Sequence, residues 1–541
     1  MLRRSLWAAA LVASLIGCGP RGDGGNDVAT TATWMADTST LAASDSVRDD
    51  AKLAEAQIVI ATAARKSRAA YQKLTRLTDD IGNRLSGSEA LGRALQWAAD
   101  AMRADGHENV HIEPVMVPVW IRGTALATAV SSRPGSAVRP LHVLALGGSI
   151  AGDVTAPLVV VHSWAELEQR KADVKGAIVL FDVAMPAWTH EHGSGYGDVV
   201  GYRSRSAIAA GKLGAVGVLV RSVTARSLST VHTGAMRYAD DVMKIPAASV
   251  SVEDAMWLAR TTRDGQRVTV RIQLQTQTLP DAASGNVIAE LRGRELPNEI
   301  VVLGAHIDSW DVGQGAHDDG AGCVIMMQAL TTLRQLGLTP RRTIRVVLYT
   351  NEENGIRGAK GYAAAHAAEM AQHVAALESD SGGFAPEGFE LELAEGAPQA
   401  QLQRVQQQAR SLLVGAARVG AGRLQLGEAG TDIGPLVAAG VPGFGLAVDN
   451  RSYFDIHHTE ADTLDKVDPQ QLADGVAAVA SFAYGLAERK ERLVPASVPV
   501  PVSVPASVPV PVPVPVPASV PVPAPVPPPV PVSTPPAKVL R

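Results

Sequence analysis

Residues 300–353 read IVVLGAHIDSWDVGQGAHDDGAGCVIMMQALTTLRQLGLTPRRTIRVVLYTNEE, and this stretch decides the fold. The apolar runs Ile300–Leu303 and Thr343–Tyr349 have the β-branched composition of buried parallel strands. Residues 320–336 between them have the length and apolar spacing of a helix. This order predicts a β-α-β unit, the building block of a parallel sheet.

Polar side chains follow both predicted strands. His306 and Asp308 come after the first strand, and Glu352 and Glu353 come after the second. Residues just past the carboxyl ends of parallel strands line one crevice, so we expect these four side chains to meet there. Asp318, at the start of the intervening helix, can join them.

Two later segments add further candidate ligands. Val374–Leu377 predicts another short buried strand and is soon followed by Asp380, and Gly443–Val448 precedes the adjacent imidazoles of His457 and His458. Zinc binds imidazole nitrogen and carboxylate oxygen, and one carboxylate can bridge two ions that share an activated water. The sequence therefore predicts a two-metal site with two histidines, two aspartates and one glutamate as ligands, and one glutamate to spare.

Several of these residues lie in motifs that occur in a fixed order along the chain. The motifs are His306-Ile-Asp308, Asp318-Asp319-Gly-Ala-Gly, Glu352-Glu353, Asp380 and His458-Thr-Glu-Ala-Asp462-Thr. Together they resemble peptidase family M28, the co-catalytic zinc aminopeptidases, and the similarity covers roughly residues 54–489. The resemblance implies two Zn²⁺ per chain as cofactors.

The resemblance also implies a role for each ligand. Asp318 bridges the two metals. His306 and Asp380 complete one metal site, and Glu353 and His458 complete the other.

Two more carboxylates are predicted to be catalytic. Hydrolysis needs a general base that takes a proton from the attacking water and returns it to the leaving amine, and Glu352, next to a ligand glutamate, is placed for both steps. Asp308 lies two residues after His306 and can accept the second ring N–H of that histidine, which would fix the ligating tautomer.

The remaining polar residues near these motifs receive simpler interpretations. His457 competes with His458 as a ligand, but the match of His458-x-x-x-Asp462-Thr463 to the family motif favours His458 and leaves His457 as a pocket neighbour. Asp432 and Tyr453 are further candidates for the substrate pocket. Asp319 is interpreted as a helix-capping carboxylate, and His317 as an idle loop imidazole.

The fold class is α/β: a mixed, mainly parallel sheet flanked by helices, the zinc exopeptidase fold that the resemblance implies, with an inserted β-rich protease-associated domain. The predicted segments are a lipoprotein signal peptide (1–18), a flexible tether (19–50), the first part of the catalytic domain (51–125), the insert (126–285), the catalytic domain with the di-zinc site (286–491) and a Pro/Val-rich low-complexity tail (492–541). Within the insert, His190 and His192 have the spacing of metal ligands but are interpreted as part of a solvated loop near the cleft.

The two cysteines have different predicted roles. Arg3 and Arg4 precede an apolar run from Leu6 to Ile16, which is too short to span a membrane as a mature helix, and Cys18 follows as in a bacterial lipoprotein signal. We therefore expect Cys18 to be lipidated and the chain to be exported and lipid-anchored in the cell envelope, at the outer membrane or periplasm. Cys323, within the predicted helix, is interpreted as a small buried apolar residue.

Charge and composition limit the partners. The net charge is −5, with acidic and basic residues well mixed, so nothing in the sequence indicates nucleic acid as a partner. Membrane contact is expected only through the N-terminal lipid, and a homodimer is implied by the family resemblance alone.

The predicted function is an exported di-zinc metallo-exopeptidase that hydrolyses short peptides, foremost dipeptides with free termini, by a metal-activated water with Glu352 as general base. The alternatives are an M28-type aminopeptidase acting on longer peptides, a glutaminyl-cyclase-like acyltransferase with one zinc, and a non-catalytic binding protein that keeps the fold. The complete ligand set and the insert argue against the last two.

Overall fold

The computed structural model describes residues 38–226 and 228–495. The predicted signal peptide, the lipidation site at Cys18, residues 19–37 of the tether and nearly all of the Pro/Val-rich tail lie outside these ranges. Within them the chain forms two eight-stranded sheets and a set of helices.

The strands are β1 (Glu108–Ile121), β2 (Ala125–Ser131), β3 (Arg139–Leu141), β4 (Val143–Ala145), β5 (Gly152–Val161), β6 (Ile178–Phe181), β7 (Gly217–Arg221), β8 (Ala247–Val250), β9 (Val268–Leu274), β10 (Gln277–Leu291), β11 (Leu296–His306), β12 (Arg342–Tyr349), β13 (His373–Glu378), β14 (Pro386–Glu392), β15 (Arg423–Leu426) and β16 (Gly443–Val448).

The α-helices are α1 (Thr38–Lys66), α2 (Ala69–Thr75), α3 (Glu89–Ala104), α4 (Trp164–Gln169), α5 (Lys171–Val174), α6 (Tyr196–Lys212), α7 (Val252–Arg263), α8 (Ala321–Gln335), α9 (Arg357–Ala365), α10 (Gln399–Arg410), α11 (Gly434–Ala438), α12 (Tyr453–Ile456) and α13 (Pro469–Glu488). None of the described helices is both long and apolar enough to cross a membrane.

The first sheet has the order β1-β10-β12-β11-β13-β16-β14-β15. Its centre, from β12 to β16, is parallel, and antiparallel pairs flank it. The predicted β-α-β unit is confirmed as β11, α8 and β12, because β11 and β12 pair in parallel through the entire length of the predicted strands. The predicted fold class, a mixed α/β sheet flanked by helices, is confirmed.

Both faces of this sheet are covered. One face packs against α1, α3, α8 and α13 in the largest apolar core, and the other packs against α9 and α11. Residues 321–333 of α8 are all buried, as are most of the residues of α13. Strands buried on both faces favour continuous apolar runs, which explains why β11 and β12 were recognisable from sequence alone.

The second sheet has the order β3-β2-β9-β5-β6-β7-β8-β4 and lies between residues 125 and 274. Three linker residues separate β1 from β2, and two separate β9 from β10, so the long β1–β10 ribbon of the first sheet leads directly into the second. Two apolar clusters cover the faces of this sheet. It is therefore an inserted unit with a core of its own.

The N-terminal helical region differs from the predicted segments at one place. Helix α1 begins at Thr38, inside the segment predicted as a flexible tether. Helices α1 and α2 are followed by a π-helical segment, Arg76–Ile81.

Candidate metal centre and active site

The carboxyl edge of the central parallel strands carries the candidate ligands. Strand β11 ends at His306, which lies beside Tyr349 at the end of β12, and Gly304 lies beside Glu378 at the end of β13. Glu353 and Asp380 follow these two strand ends within a few residues. The parallel register therefore brings together residues that are far apart in sequence.

The first ligand group consists of His306, Asp318 and Asp380. The Nε2 atom of His306 lies 3.2 Å from Oδ1 of Asp318 and 3.2 Å from Oδ1 of Asp380. These ligand atoms lie within 4.8 Å of one another, as a single bound ion requires.

The second ligand group lies on the other side of Asp318. The Nε2 atom of His458 lies 3.1 Å from Oδ2 of Asp318 and 3.1 Å from Oε2 of Glu353. The other oxygen of Glu353 accepts a hydrogen bond of 3.1 Å from the backbone N–H of Trp310, which fixes the direction of the carboxylate. The structure thus brings all five predicted ligands together, with one oxygen of Asp318 in each group.

These residues fit zinc. Four ligands at about 2.0–2.1 Å in a tetrahedron stand about 3.3 Å apart, close to the separations of 3.1–3.2 Å seen here. Oδ2 of Asp318 is buried and accepts no hydrogen bond from any residue that the structure describes, although Nε2 of His458 is 3.1 Å away. A nitrogen and an oxygen that are close without a hydrogen bond between them are suited to sharing a cation.

The orientation of His306 is fixed from behind, although not by the group that the sequence suggested. Its Nδ1 is 3.0 Å from the backbone carbonyl oxygen of Asp308, whereas the nearer carboxylate oxygen of Asp308 is 3.9 Å away. The carbonyl therefore accepts the Nδ1 proton and leaves Nε2 free for the metal.

The carboxylate of Asp308 instead positions Glu352. Its Oδ1 accepts a hydrogen bond of 3.0 Å from the backbone N–H of Glu352, and its Oδ2 accepts one of 3.2 Å from the hydroxyl of Ser86. Desolvation, together with the negative charges of Asp380 and Glu353, raises the pKa of Glu352 well above its usual range. A raised pKa suits a group that must both accept and release a proton.

His457 lies against the second ligand group. Its ring stacks on the ring of His458 with 3.5 Å between centroids, and its Nε2 is 3.6 Å from Oδ2 of Asp318. Its Nε2 lies within reach of the same ion as Asp318 and His458, so the described geometry leaves both histidines as possible ligands. Burial and the neighbouring His458 lower the pKa of His457 well below its usual range, so that its ring is neutral.

We expect substitutions of the two adjacent histidines to have different effects. His458→Gln removes the nitrogen that lies 3.1 Å from both Asp318 and Glu353, and should lower the zinc content from about two to about one per chain. His457→Gln should retain both metals. Metal analysis of the two dialysed variants, with circular dichroism as the folding control, checks this assignment. Loss of metal from His457→Gln alone would reverse it.

A loop and a helix of the insert support the second ligand group directly. The backbone carbonyl of Thr233 lies 3.2 Å from Nδ1 of His458, and its backbone N–H donates a 3.0 Å hydrogen bond to the carbonyl of His458. Arg203 on α6 places a guanidinium nitrogen 3.4 Å from the same Nδ1 and 3.4 Å from the Thr233 carbonyl. The insert is therefore part of the structure that orients a candidate metal ligand.

A substitution at Gly234 tests whether the insert orients His458. A Cβ at this position would clash with the guanidinium group of Arg203, and its φ of +140° is strained for other residues. We expect Gly234→Ala to weaken zinc binding about 10–100-fold, the usual cost of disturbing a group that orients a metal ligand. Competition with a chelator of known affinity measures this effect.

Gly265→Ala is the matched control for Gly234→Ala. It lies in the same insert with a φ of +78°, and a Cβ there would meet nothing within 4 Å. Equal metal affinities in the two variants would contradict the proposed support from Arg203.

The loop that carries Asp318 is held by residues that sequence reasoning did not assign. Oδ1 of Asp462 accepts the N–H of His317 at 2.8 Å, and Oδ2 accepts the N–H of Asp318 at 3.1 Å. The fully buried Arg84 donates to the carbonyls of Ile307, Gln314 and Gly315. Asp462 lies in a motif noted above, but Arg84 has no sequence signal because its partners are more than 220 residues away.

Three of the simpler interpretations can be compared with the structure. Asp319 is confirmed as a capping carboxylate, since Oδ1 accepts the N–H of Gly322 at 2.9 Å and Oδ2 accepts the N–H of His306 at 3.2 Å. Cys323 is confirmed as buried. The idle role predicted for His317 is wrong: its ring is buried, stacks on Phe384 at 4.2 Å and accepts the N–H of Gly383, and burial lowers its pKa to about 4.

The two remaining pocket candidates are both buried. The ring of Tyr453 lies between Phe454 and His457, and desolvation raises the pKa of its hydroxyl well above the usual range. Neither carboxylate oxygen of Asp432 has a hydrogen-bond partner in the described part of the chain, and burial raises its pKa well above the usual range, an effect that the charge of Glu378 increases.

A cleft of about 1320 Å³ opens beside Asp380. We call it the acidic cleft; it lies over β14, β15 and the end of β16, and the insert closes it with residues 188–193. His190 and His192 are exposed and line it, as expected of a solvated loop near the active site.

Comparisons with known proteins agree with this arrangement. The sequence model "Peptidase family M28" matches residues 286–483, and the PA domain model matches residues 154–258. Carboxypeptidase Q from Mus musculus is 37% identical over 446 residues, which are 82% of this chain and 90% of that protein. The chain belongs to peptidase family M28. It is accordingly a zinc metallopeptidase related to carboxypeptidase Q, and its insert is similar to a protease-associated domain.

Solved structures extend the family relationship to three dimensions. The crystal structure of a peptidase M28 precursor from Shewanella amazonensis SB2B has a TM-score of 0.76 and 37% identity, covering 83% of this M28 peptidase and 99% of that chain. A zinc aminopeptidase from Bacillus subtilis has a TM-score of 0.57 at 20% identity, covering 78% and 96%, and shows a shared fold alone.

Proposed function

We propose that this M28 peptidase is an exported di-zinc exopeptidase that hydrolyses short peptides, foremost dipeptides with free termini. The observation that carries the proposal is the position of Asp318, whose two carboxylate oxygens each belong to a separate ligand group. Glu352, the glutamate outside both groups, supplies the acid–base chemistry.

Five side chains would hold the metals: His306, Asp318 and Asp380 in one group, and Asp318, Glu353 and His458 in the other. Bound zinc would act as a Lewis acid and would lower the pKa of a water molecule bound to it to about 7. The carbonyl of Asp308 holds the ring of His306, and the carbonyl of Thr233 holds that of His458, so the ligands are oriented before binding.

Glu352 performs the proton transfers. It accepts a proton from the attacking water as the new C–O bond forms, and it delivers that proton to the amine nitrogen as the C–N bond breaks. Asp308 holds the backbone of Glu352 by the 3.0 Å hydrogen bond to its N–H, and Ser86 holds Asp308 in turn. This chain of contacts keeps the glutamate at one position during both steps.

The insert favours short substrates. Residues 188–193 close one side of the acidic cleft, and Trp188 donates a 3.2 Å hydrogen bond to the side chain of Asn450 across it. The contact between Thr233 and His458 brings a second part of the insert up to the metal ligands. A cleft bounded in this way limits the length of chain that fits. The relationship to carboxypeptidase Q is separate support for an exopeptidase.

The test is hydrolysis of unblocked dipeptides beside their N-acetyl and C-amide forms and beside longer peptides, with the full-length zinc-loaded chain. We expect cleavage of the free dipeptides, loss of cleavage after chelation, and recovery with added zinc. Preferred cleavage of longer peptides from the amino end would replace the dipeptidase by an aminopeptidase. No turnover by a folded chain holding two zinc ions would refute the proposed function.

Export and lipid anchoring belong to the same proposal and rest on the sequence around Cys18, which lies outside the described residues. Labelling with radioactive palmitate in cells, compared between the natural chain and Cys18→Ala, tests the anchor. The homodimer implied by the family resemblance remains a prediction, which sedimentation equilibrium of the purified chain tests.

A further inference from the structure

The acidic cleft carries a large excess of negative charge. Eight acidic side chains and a single arginine, Arg423, are among its described lining residues. Arg423 is already paired with Glu387 at 2.7 Å, and Asp380 belongs to the candidate metal centre. Asp449 is paired with Arg451, and the other five acidic lining residues form no ion pair with a lysine or arginine among the described residues: Glu191, Glu378, Glu390, Glu392 and Glu428.

Two of the acidic side chains on β14 are held by neutral groups. Glu390 accepts a 2.8 Å hydrogen bond from the side-chain amide of Gln425, and Glu392 accepts one of 2.8 Å from the backbone N–H of Ala429. These neutral donors fix the carboxylates in place but do not cancel their charge. Negative groups fixed along one cleft create a potential that attracts cationic ligands.

Glu378 lies at the base of the cleft, where strand β13 ends. Its side chain is 1% exposed, and its Oε2 accepts a 2.8 Å hydrogen bond from the backbone N–H of Ile433. Glu378 is one of the residues that line the cleft, and its buried Oε1 has no hydrogen-bond partner among the described residues. A buried carboxylate oxygen without a partner is costly, so this atom is suited to accept from a ligand.

Gly430 leaves space for the carboxylate of Glu378. A Cβ at Gly430, where φ is +135°, would clash with the carboxylate of Glu378. Gly430 also lines the cleft, so the absence of its side chain keeps the path to Glu378 open. Asp432, two residues after Gly430, adds a second buried carboxylate near Glu378, and it too has no hydrogen-bond partner within residues 38–226 and 228–495.

We propose that the acidic cleft binds the positively charged side chain of a lysine- or arginine-containing peptide, with Oε1 of Glu378 accepting from the ammonium or guanidinium group. The inference rests on the proposed function, since the peptide is the substrate of the same active site. A volume of about 1320 Å³ suits an extended side chain rather than a bare ion. Charge-assisted hydrogen bonds to a buried carboxylate supply the selectivity.

The test compares side chains of equal shape and different charge. Lysine is paired with norleucine, and arginine with citrulline, at either position of a dipeptide whose other residue is alanine. A hydrogen bond to a charged group predicts a kcat/KM about tenfold or more higher for the cationic member at one of the two positions. The advantage should fall as salt rises from about 0.05 to about 0.5 M, because screening weakens the field of the cleft.

Substitutions in the acidic cleft identify the residues that produce the selectivity for a cationic side chain. Glu378→Gln keeps the shape of the side chain and removes the charge, and it should reduce the lysine-to-norleucine ratio to about threefold or less; Glu390→Gln should reduce it partly. Glu55→Gln is the matched control, since Glu55 is an exposed residue of α1 outside the cleft lining. Because Glu378 is two residues from Asp380, zinc content is measured in each variant, and the ratio within one enzyme is compared rather than the absolute rate.

The peptide panel and the metal analysis have three outcomes that would overturn the inference. Equal hydrolysis of lysine and norleucine peptides by the zinc-loaded enzyme overturns this inference and leaves the exopeptidase function intact. No hydrolysis of any peptide overturns both. A third tightly bound divalent ion per chain that is lost in Glu378→Gln also overturns the inference, because the cleft would then hold a metal rather than a side chain.

Discussion

Glu352→Gln is expected to lower kcat about 10³-fold while both zinc ions stay bound. Glutamine has the size of glutamate but cannot accept a proton from water, and general acid–base catalysis usually contributes about 10²–10⁴-fold. Oε2 of Glu353 lies 3.1 Å from the ligand nitrogen of His458, whereas Glu352 belongs to neither candidate metal group of the described residues, so metal binding should persist. Steady-state kinetics with a free dipeptide, together with metal analysis, measures both quantities.

The adjacent residue gives the matched control for this substitution. Glu353→Gln removes the oxygen that lies 3.1 Å from Nε2 of His458, so it should lose activity together with one zinc ion. Both variants would be inactive for different reasons: Glu352→Gln would lose the general base, and Glu353→Gln would lose a metal ligand. Retention of more than about a tenth of kcat in Glu352→Gln would contradict its role as general base.

Asp318→Asn is expected to abolish activity, with a loss of about 10⁴-fold or more in kcat/KM, and to leave fewer than two zinc ions per chain. The carboxylate of Asp318 contributes one oxygen to each ligand group, and an amide offers one neutral oxygen and a nitrogen that cannot bind zinc in its place. Activity and metal content after dialysis against a weak chelator are the measurements.

Asp319→Asn separates the metal effect from damage to the loop. Asp319 accepts the N–H of Gly322 with one oxygen and the N–H of His306 with the other, and it is outside both ligand groups. Asparagine keeps only one of these two acceptors, so the replacement should cost about 1 kcal/mol of stability, the usual worth of one hydrogen bond, while both metals remain. A small fall in melting temperature with normal zinc content is the expected result. If Asp318→Asn retained two tightly bound zinc ions, the bridging role would be refuted.

Local patterns were sufficient for the centre of the catalytic sheet. Strands β11 and β12 are buried on both faces, so their sequences are continuous apolar runs that can be recognised without a structure. The rule that carboxyl ends of parallel strands share one edge then predicted that His306, Glu353 and Asp380 would lie close together, and they do.

Contacts between distant segments could not be predicted in the same way. Thr233 and His458 are 225 residues apart, and neither carries a pattern that predicts the backbone hydrogen bond between them. The buried position of His317 was missed for the same reason, since its ring contacts Phe384 and Gly383 in the loop between β13 and β14. Such contacts depend on how whole elements pack, which a local window of sequence does not contain.

The sequence by itself determined the β-α-β unit, the residue types of the metal centre and the presence of a β-rich insert, because hydrophobic periodicity and ligand chemistry are local properties. Only the tertiary structure decided which carboxylate faces which ligand, that the insert holds His458 through Thr233, and that Glu378 lies unpaired at the base of an acidic cleft. The physical reason is that direction, burial and uncompensated charge arise only when distant side chains are packed together.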